Sequence, residues 1–179
     1  MTKSCFVISV IGSDGSEERQ YADRLFKHVI EPSAKEAGYT KVQRADHFDE
    51  TGMITVQVVE AIMNYDMVIA DLTHPNPNVY YELAIRHFTG KRLVHLVQKE
   101  VRLPFDVAQV RSVQFKLDLD GVDAAKADLV SKLKAADADT RAVMNPVTQS
   151  KEVNQLKASS DTTNNLLGPE RRGVRCLQQ

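Results

Sequence analysis

The chain has 179 residues, 42% hydrophobic and 26% charged, which is enough for one sizeable core and too little for two large domains. A formal net charge of -1 and a pI near 6.5 exclude a general electrostatic attraction to DNA, RNA or an anionic membrane, so any phosphate recognition is local and nucleic acid is not an expected partner. No apolar run approaches the roughly 18 residues of a membrane span, the opening segment is too short for a signal peptide, and Cys5 and Cys176 form neither a disulfide framework nor a zinc spacing. A cytoplasmic protein is expected.

Residues 5–11, Cys-Phe-Val-Ile-Ser-Val-Ile, are short and β-branched and read as a first strand, broken by Gly12-Ser13-Asp14-Gly15-Ser16. Ser16 caps a helix in which Tyr21, Leu25, Phe26, Val29 and Ile30 recur at helical spacing and Glu17 and Glu18 occupy the first turn. Pro32 is expected to kink this helix before Gly38 ends it. A weak second strand over Lys41 to Arg44 leads into an acidic loop, Ala45 to Gly52, and then an apolar helical stripe of Ile54, Val58, Val59, Ile62 and Met63.

Met67 to Ala70 read as a strand buried on both faces. The loop after it, through Asp71 and the Pro and Asn residues 75–78, restarts as a helix at Val79 with Asn78 as its cap. A strand over Arg92 to Val97, a loop through Pro104-Phe105-Asp106, a fifth strand over Ser112 to Leu117 and a last helix over Val122 to Ala136 complete the pattern. Strands alternate with helices, so the fold class is α/β with a three-layer parallel sheet. The domain spans residues 1–137. Residues 138–179, with Asn145-Pro146 and Gly168-Pro169, read as a polar, mobile tail with one short helix around Lys151 to Lys157 and a small basic cluster at Arg171, Arg172 and Arg175.

In an open parallel sheet, ligands bind outside the strand C-termini, and the candidate site residues gather there. The turn Gly12, Ser13, Gly15, Ser16, with Arg19 just inside the helix, suits an anion held by backbone N–H groups and the helix N-terminus. It matches neither the dinucleotide fingerprint nor the P-loop spacing, and an ordinary capped turn accounts for it equally well. Asp71 at a strand end can accept hydrogen bonds from ribose hydroxyls, with Asn76 and Asn78 beside it, or can serve an Asx turn for Leu72 and Thr73. Arg44, Asp46, Asp106 and Arg111 fall at the same edge. Glu82 can attack or stabilise a sugar C1′ as a glycosidic bond breaks, or can simply pair with Arg86 at i,i+4. The five histidines show no ligand spacing, so no metal is assigned; His74 alone sits in the site loop.

Taken in order, Phe6–Gly12, Arg44-Ala-Asp46, Ala70-Asp-Leu-Thr73, Asn76-Pro-Asn-Val79, Tyr81-Glu-Leu83 and Pro104-Phe-Asp106 resemble a bacterial group of nucleoside 2-deoxyribosyltransferase-like domains, distantly related to TIR domains. The resemblance covers roughly residues 4–117. It implies a flavodoxin-like three-layer sandwich with a five-stranded parallel sheet, a nucleotide at the strand C-termini, Glu82 acting at C1′ and the turn after strand one holding a 5′-phosphate or the sugar. It implies no cofactor. Members usually carry a further carboxylate on the helix before strand three to protonate the departing base; here Gln57 and Val58 stand nearby, and Glu60 is the only acid on that helix. The departure favours a base that leaves without protonation, such as the cationic nicotinamide of NAD.

The leading reading is therefore an N-glycosidase, hydrolase or transferase, acting on a (deoxy)nucleoside monophosphate or NAD through catalytic Glu82 and Asp71. Two others stand beside it: a non-catalytic nucleotide sensor using the same crevice, and a TIR-like signalling module that works as a homo-oligomer. Phage defence and nucleotide salvage would both suit such a domain.

Overall fold

The computed structural model describes residues 2–48, 54–108, 110, 112–141 and 143–166. Five parallel strands, β1 (Ser4–Ile8), β2 (Lys41–Arg44), β3 (Met67–Asp71), β4 (Leu93–Gln98) and β5 (Ser112–Phe115), form one sheet in the order β2-β1-β3-β4-β5. All four pairings are parallel, so each crossover runs through a helix. The fold is the flavodoxin-like three-layer sandwich, whose strand order reverses between β1 and β3.

Period-two alternation sorts the sheet residues between two cores. Cys5, Val7, Met67, Ile69, Val94, Leu96, Val113 and Phe115 face one layer, made of α1 (Glu17–Leu25), α2 (Glu31–Glu36) and α6 (Leu119–Ala138). Phe6, Ile8, Val68, Ala70 and Leu93 face the other, made of α3 (Ile54–Asn64), α4 (Pro77–Thr89) and the short α5 (Phe105–Ala108). Every residue of β3 is buried, as its unbroken apolar run requires of a strand covered on both sides.

Three elements differ from the sequence expectation. A π-helical turn, Phe26–Ile30, that the sequence did not suggest joins α1 to α2 just before Pro32, and the Glu31 N–H donates to Phe26 O. Pro32 has no N–H to continue the ladder, and the wider turn absorbs the missing bond. The helix after β3 is capped by Asn76 rather than Asn78: the Asn76 side chain accepts from the N–H groups of Asn78 and Val79 at 2.9 and 3.4 Å, with Pro77 at the first helical position, where its missing N–H costs nothing. The same grammar recurs beyond residue 138, where Asn145 Oδ1 accepts from Val147 N and Thr148 N and starts α7 (Pro146–Leu166). Buried Asn145 also donates to His87 O on α4 at 3.2 Å, so this helix begins docked on the domain. Residues 171, 172 and 175 lie outside the described residues.

Arg86 fastens the α3–α4 layer to the sheet. It is fully buried and has no carboxylate partner among the described residues. Its guanidinium donates to Ile62 O and Tyr65 O at the end of α3, to Asp66 O before β3 and to Arg92 O before β4, at 2.7 to 3.3 Å. Burial lowers its pKa to about 10, so it stays charged at neutral pH. Nearby, the His87 and His95 rings lie 5.7 Å apart. His95 is fully buried and neither of its ring nitrogens has a hydrogen-bond partner among the described residues.

Two outcomes follow. Arg86→Met strands several carbonyls and is expected to cost about 3–5 kcal/mol in urea unfolding, with Arg86→Lys intermediate; a loss under about 1 kcal/mol for Arg86→Met would show that the carbonyls find other donors. Burial holds the His95 pKa down to about 4, against 6.5 for a free imidazole. The unfolded chain then takes a proton that the folded chain refuses, so stability present above pH 6.5 is lost as pH falls toward 4. His95→Leu should remove roughly 2–3 kcal/mol of that acid sensitivity, read as a lower acid-unfolding midpoint; an unchanged midpoint refutes the assignment.

Candidate active site

The chain leaves β1 beside the end of β3, because Ile8 pairs with Ala70. This topological switch point is flanked by the loop 9–16, by Asp71 to Asn76, and by the N-termini of α1 and α4. The two carboxylates placed here by sequence take opposite sides of the sheet. Asp71 follows Ala70 in β3 and so points to the α1 side; Glu82 sits on α4, which covers the other face.

Asp71 is 3% exposed. Its Oδ1 accepts from Thr73 N at 3.0 Å, which is the Asx turn, and the Tyr21 phenol from α1 lies against it. Burial raises the Asp71 pKa, against the opposing effect of Thr73 and Tyr21. Burial first, then the Asp71 charge, keeps the phenol protonated. His74 packs edge-on against Tyr21 with centroids 4.5 Å apart. The His74 Nδ1 and Ser9 Oγ atoms are buried without a hydrogen-bond partner among the described residues, an arrangement that a polar ligand can complete. A cleft of about 360 Å³ opens here, lined by Glu17, Glu18, Gln20, Tyr21, Arg24 and His74.

The turn before α1 is built around its glycine. Gly12 has φ +68°, and a Cβ there would lie 2.5 Å from Ser16 Oγ and 3.1 Å from Arg19 N, so a side chain is barred on two counts. Ser16 caps α1, accepting from Arg19 N at 3.1 Å. Ser13, Asp14 and Gly15 are exposed. The arginines expected at an anion site are engaged with carboxylates. Arg19 pairs with Asp14, Asp23 and Asp46 at 3.4, 3.1 and 2.9 Å; Arg44, 2% exposed, pairs with Asp46 and Asp23 at 2.6 and 2.5 Å. Hydrogen bonding to Arg44 and Arg19 lowers the Asp23 pKa. Burial acts to raise the pKa of Asp46, yet bonding to Arg44 leaves it lowered. This network keeps Arg44 and Asp46 together on the α1 side.

Glu82 lies in the second turn of α4, not the first, since the helix begins two residues earlier than expected. It is half-buried, and no described residue forms an ion pair or hydrogen bond with its carboxylate. The alternative of an i,i+4 pair with Arg86 is excluded by where Arg86 points. Burial alone pushes the Glu82 pKa up to about 7. Asn76 is occupied as a cap, Asn78 is exposed, and Glu60 on α3 is exposed. The backbone of Asp106 lies in α5; its side chain, Arg111 and residues 49–53 lie outside the described residues.

Sequence reasoning read Tyr21 as a core residue of an amphipathic stripe and did not single out Ser9 or Asp23. Tyr21 does pack inward, and only its hydroxyl reaches the site, so helical periodicity could not separate the two roles. No group of three or more His, Cys, Asp or Glu side chains suited to a metal occurs among the described residues.

No protein-family model matches the chain, and neither does any curated protein. Among solved structures it is similar in fold to the Clostridium botulinum CMP N-glycosidase BcmB, with a TM-score of 0.50 and 18% identity over 71% of this chain and 98% of that one. A flavodoxin-like domain from a Synechococcus sp. protein gives a TM-score of 0.44 at 12% identity, over 75% and 96% of the two chains.

An unpaired, half-buried carboxylate leaves a signature in stability. Glu82 in the folded chain holds its proton up to about pH 7, whereas the ordinary value is 4.5. Between these values the folded state binds the extra proton, so stability falls as pH rises through the window. Glu82→Gln is expected to melt close to wild type at pH 4.5 and above it at pH 8. A difference that stays constant across this range would mean that Glu82 is not desolvated.

Proposed function

We propose that the chain is an N-glycosidase that cleaves the base–sugar bond of a nucleotide-type substrate, with Glu82 attacking C1′ or stabilising the positive charge that develops there. The observation that carries this reading is the state of Glu82: half-buried, without a counter-ion, and titrating near neutrality. An acid kept for helix stability would sit in the first turn or pair with a base. One poised near 7 beside a sheet switch point fits work on a cationic transition state. The fold similarity to a CMP N-glycosidase agrees with a substrate of this class, a nucleoside monophosphate or NAD.

In this reading Asp71, Thr73 and Tyr21 orient the sugar from the α1 side, with Ser9 and His74 offering unsatisfied polar atoms. The Gly12 to Ser16 turn and Arg19 hold phosphate, Arg19 exchanging its exposed partner Asp14 for the ligand. Arg44 and Asp46 then act by holding Arg19 in place, and Asn76 by starting the helix that carries Glu82. With Glu60 exposed, nothing on α3 among the described residues is set to protonate the leaving base, which favours a base that departs as a neutral molecule from a cationic substrate. The carboxylate forms or shields the glycosyl intermediate, and water or an acceptor base then takes the sugar.

Liquid chromatography of reactions with NAD and with each ribo- and deoxynucleoside monophosphate tests this. Free base is expected with wild type, and Glu82→Ala should lower kcat by at least about 10²-fold. The kcat/KM profile should rise with pH and level off above about 7. No base from any substrate, with saturable binding by calorimetry, would instead identify a nucleotide sensor.

A further inference from the structure

One stripe of α1 lines the site and continues past it. Glu17, Tyr21, Arg24 and His28 follow one another at spacings of three and four, so they share a face along the helix. The first three line the site cleft of about 360 Å³. Arg24 and His28 then form one wall of a larger groove, about 1010 Å³, whose other wall is the start of α6. Arg24 belongs to both spaces, so a ligand that leaves the cleft along α1 enters the groove. The cleft stands at the small end of the roughly 300–1,000 Å³ range of ligand pockets and the groove at its upper end.

We propose that this groove holds the second nucleotide of a dinucleotide substrate, with the phosphate of that half at Arg24 and its ribose and base beyond. The inference rests on the glycosidase reading for the first half of the ligand, and it selects a dinucleotide over a nucleoside monophosphate. The order of the free charges carries it. Arg24 Nε donates to Gln20 O at 3.1 Å, which turns the guanidinium back toward the cleft, and its terminal nitrogens have no partner among the described residues. Arg19 and Arg44, by contrast, are held by Asp23 and Asp46. A guanidinium with free N–H groups matches a pair of phosphoryl oxygens. Past it the charge changes sign. Asp118 is spent on the α6 cap, accepting from Gly121 N at 2.7 Å, and Asp123 on Lys126 at 2.8 Å. Asp120 is exposed and has no ion pair or hydrogen bond among the described residues; its acceptor-only carboxylate suits the cis hydroxyls of a ribose and repels a phosphate. Leu117 and Val122 add apolar surface to the lining, and exposed His28 adds an aromatic ring for a base to lie against. Phosphate, base and sugar each find the group they require, in that chain of contacts, whereas a monophosphate ends at Arg24 and meets nothing beyond it.

Titration calorimetry of the whole chain with ADP-ribose and with ribose 5-phosphate tests it. ADP-ribose is expected to bind at least about tenfold tighter. Arg24→Ala should cut that ratio by about tenfold, and His28→Ala and Asp120→Ala each by at least about threefold. A folding defect weakens both ligands alike and leaves the ratio where it was, so only loss of the groove's contacts moves it. Equal binding of the two ligands, or a ratio that none of the three variants changes, overturns the inference and leaves the glycosidase reading standing, as does release of nicotinamide from its mononucleotide as fast as from NAD. Binding of neither ligand overturns the inference together with the reading beneath it. The expected ratios beside a nucleotide panel that yields no free base would fail the reaction and uphold the groove.

Discussion

A single guanidinium ties the layer that carries the candidate carboxylate to the sheet. Arg86 donates to the carbonyls that end α3 and to those that precede β3 and β4; Arg92 O also accepts from Val68 N at 3.2 Å, and the carbonyls at the α3 end are among those that a helix cannot satisfy itself. A positive charge without a counter-ion is costly in a core; here four carbonyl dipoles converge on it, and its pKa drops only to about 10. The same commitment shapes the site. Because Arg86 is spent on backbone, Glu82 one turn earlier has no partner, and its carboxyl drifts up to about 7. Stability of the scaffold and readiness of the acid are two results of one side chain's geometry.

The opposite side of the switch point is arranged by the contrary principle. There the two arginines are paired with acids: Arg19 and Arg44 share Asp23 and Asp46, and two guanidiniums hold two carboxylates in their ionised form. Such a closed network fixes α1 against β2 at little net electrostatic gain. It also sets the terms on which the proposed phosphate enters. Asp14 is exposed and its contact with Arg19 is the longest of the set, so that pair opens first, while buried Arg44 stays with its acids.

Most of the fold was legible because the apolar pattern changes period at each element. β2 was placed over the same four residues as observed, and β3 was read from its unbroken run. What was not legible shares one cause, the local meaning of proline. Asn76-Pro77 and Asn145-Pro146 read as breakers between elements; both are helix starts, since asparagine caps and proline at the first position loses no bond. That error moved Glu82 into the first turn and dissolved α7. At Pro32 the lost hydrogen bond was visible in the sequence and the π-turn just before it was not. At the site, the residue types were visible in sequence and their partners were not: whether Glu82 meets Arg86 depends on where Ile62, Tyr65 and Arg92 place their carbonyls.

The position of Glu82 bears on the kind of substrate the proposed reaction would take. A carboxyl titrating near 7 is only partly ionised at neutral pH, and the cause is burial, not a neighbouring acid. Anything that brings positive charge beside it restores the ionised form, since an opposite charge within about 4–6 Å favours it. A neutral nucleoside would leave the acid half-protonated and would still need a proton donor for its base, which exposed Glu60 does not offer. A substrate whose base is already cationic does both things at once: its charge ionises Glu82 on arrival, and its base departs neutral without a proton. On the proposed reading the missing helix acid and the raised Glu82 pKa therefore do not represent two defects of an incomplete site. On that reading they would be the complementary requirements of one substrate class, the ligand's charge supplying the deprotonation that burial opposes.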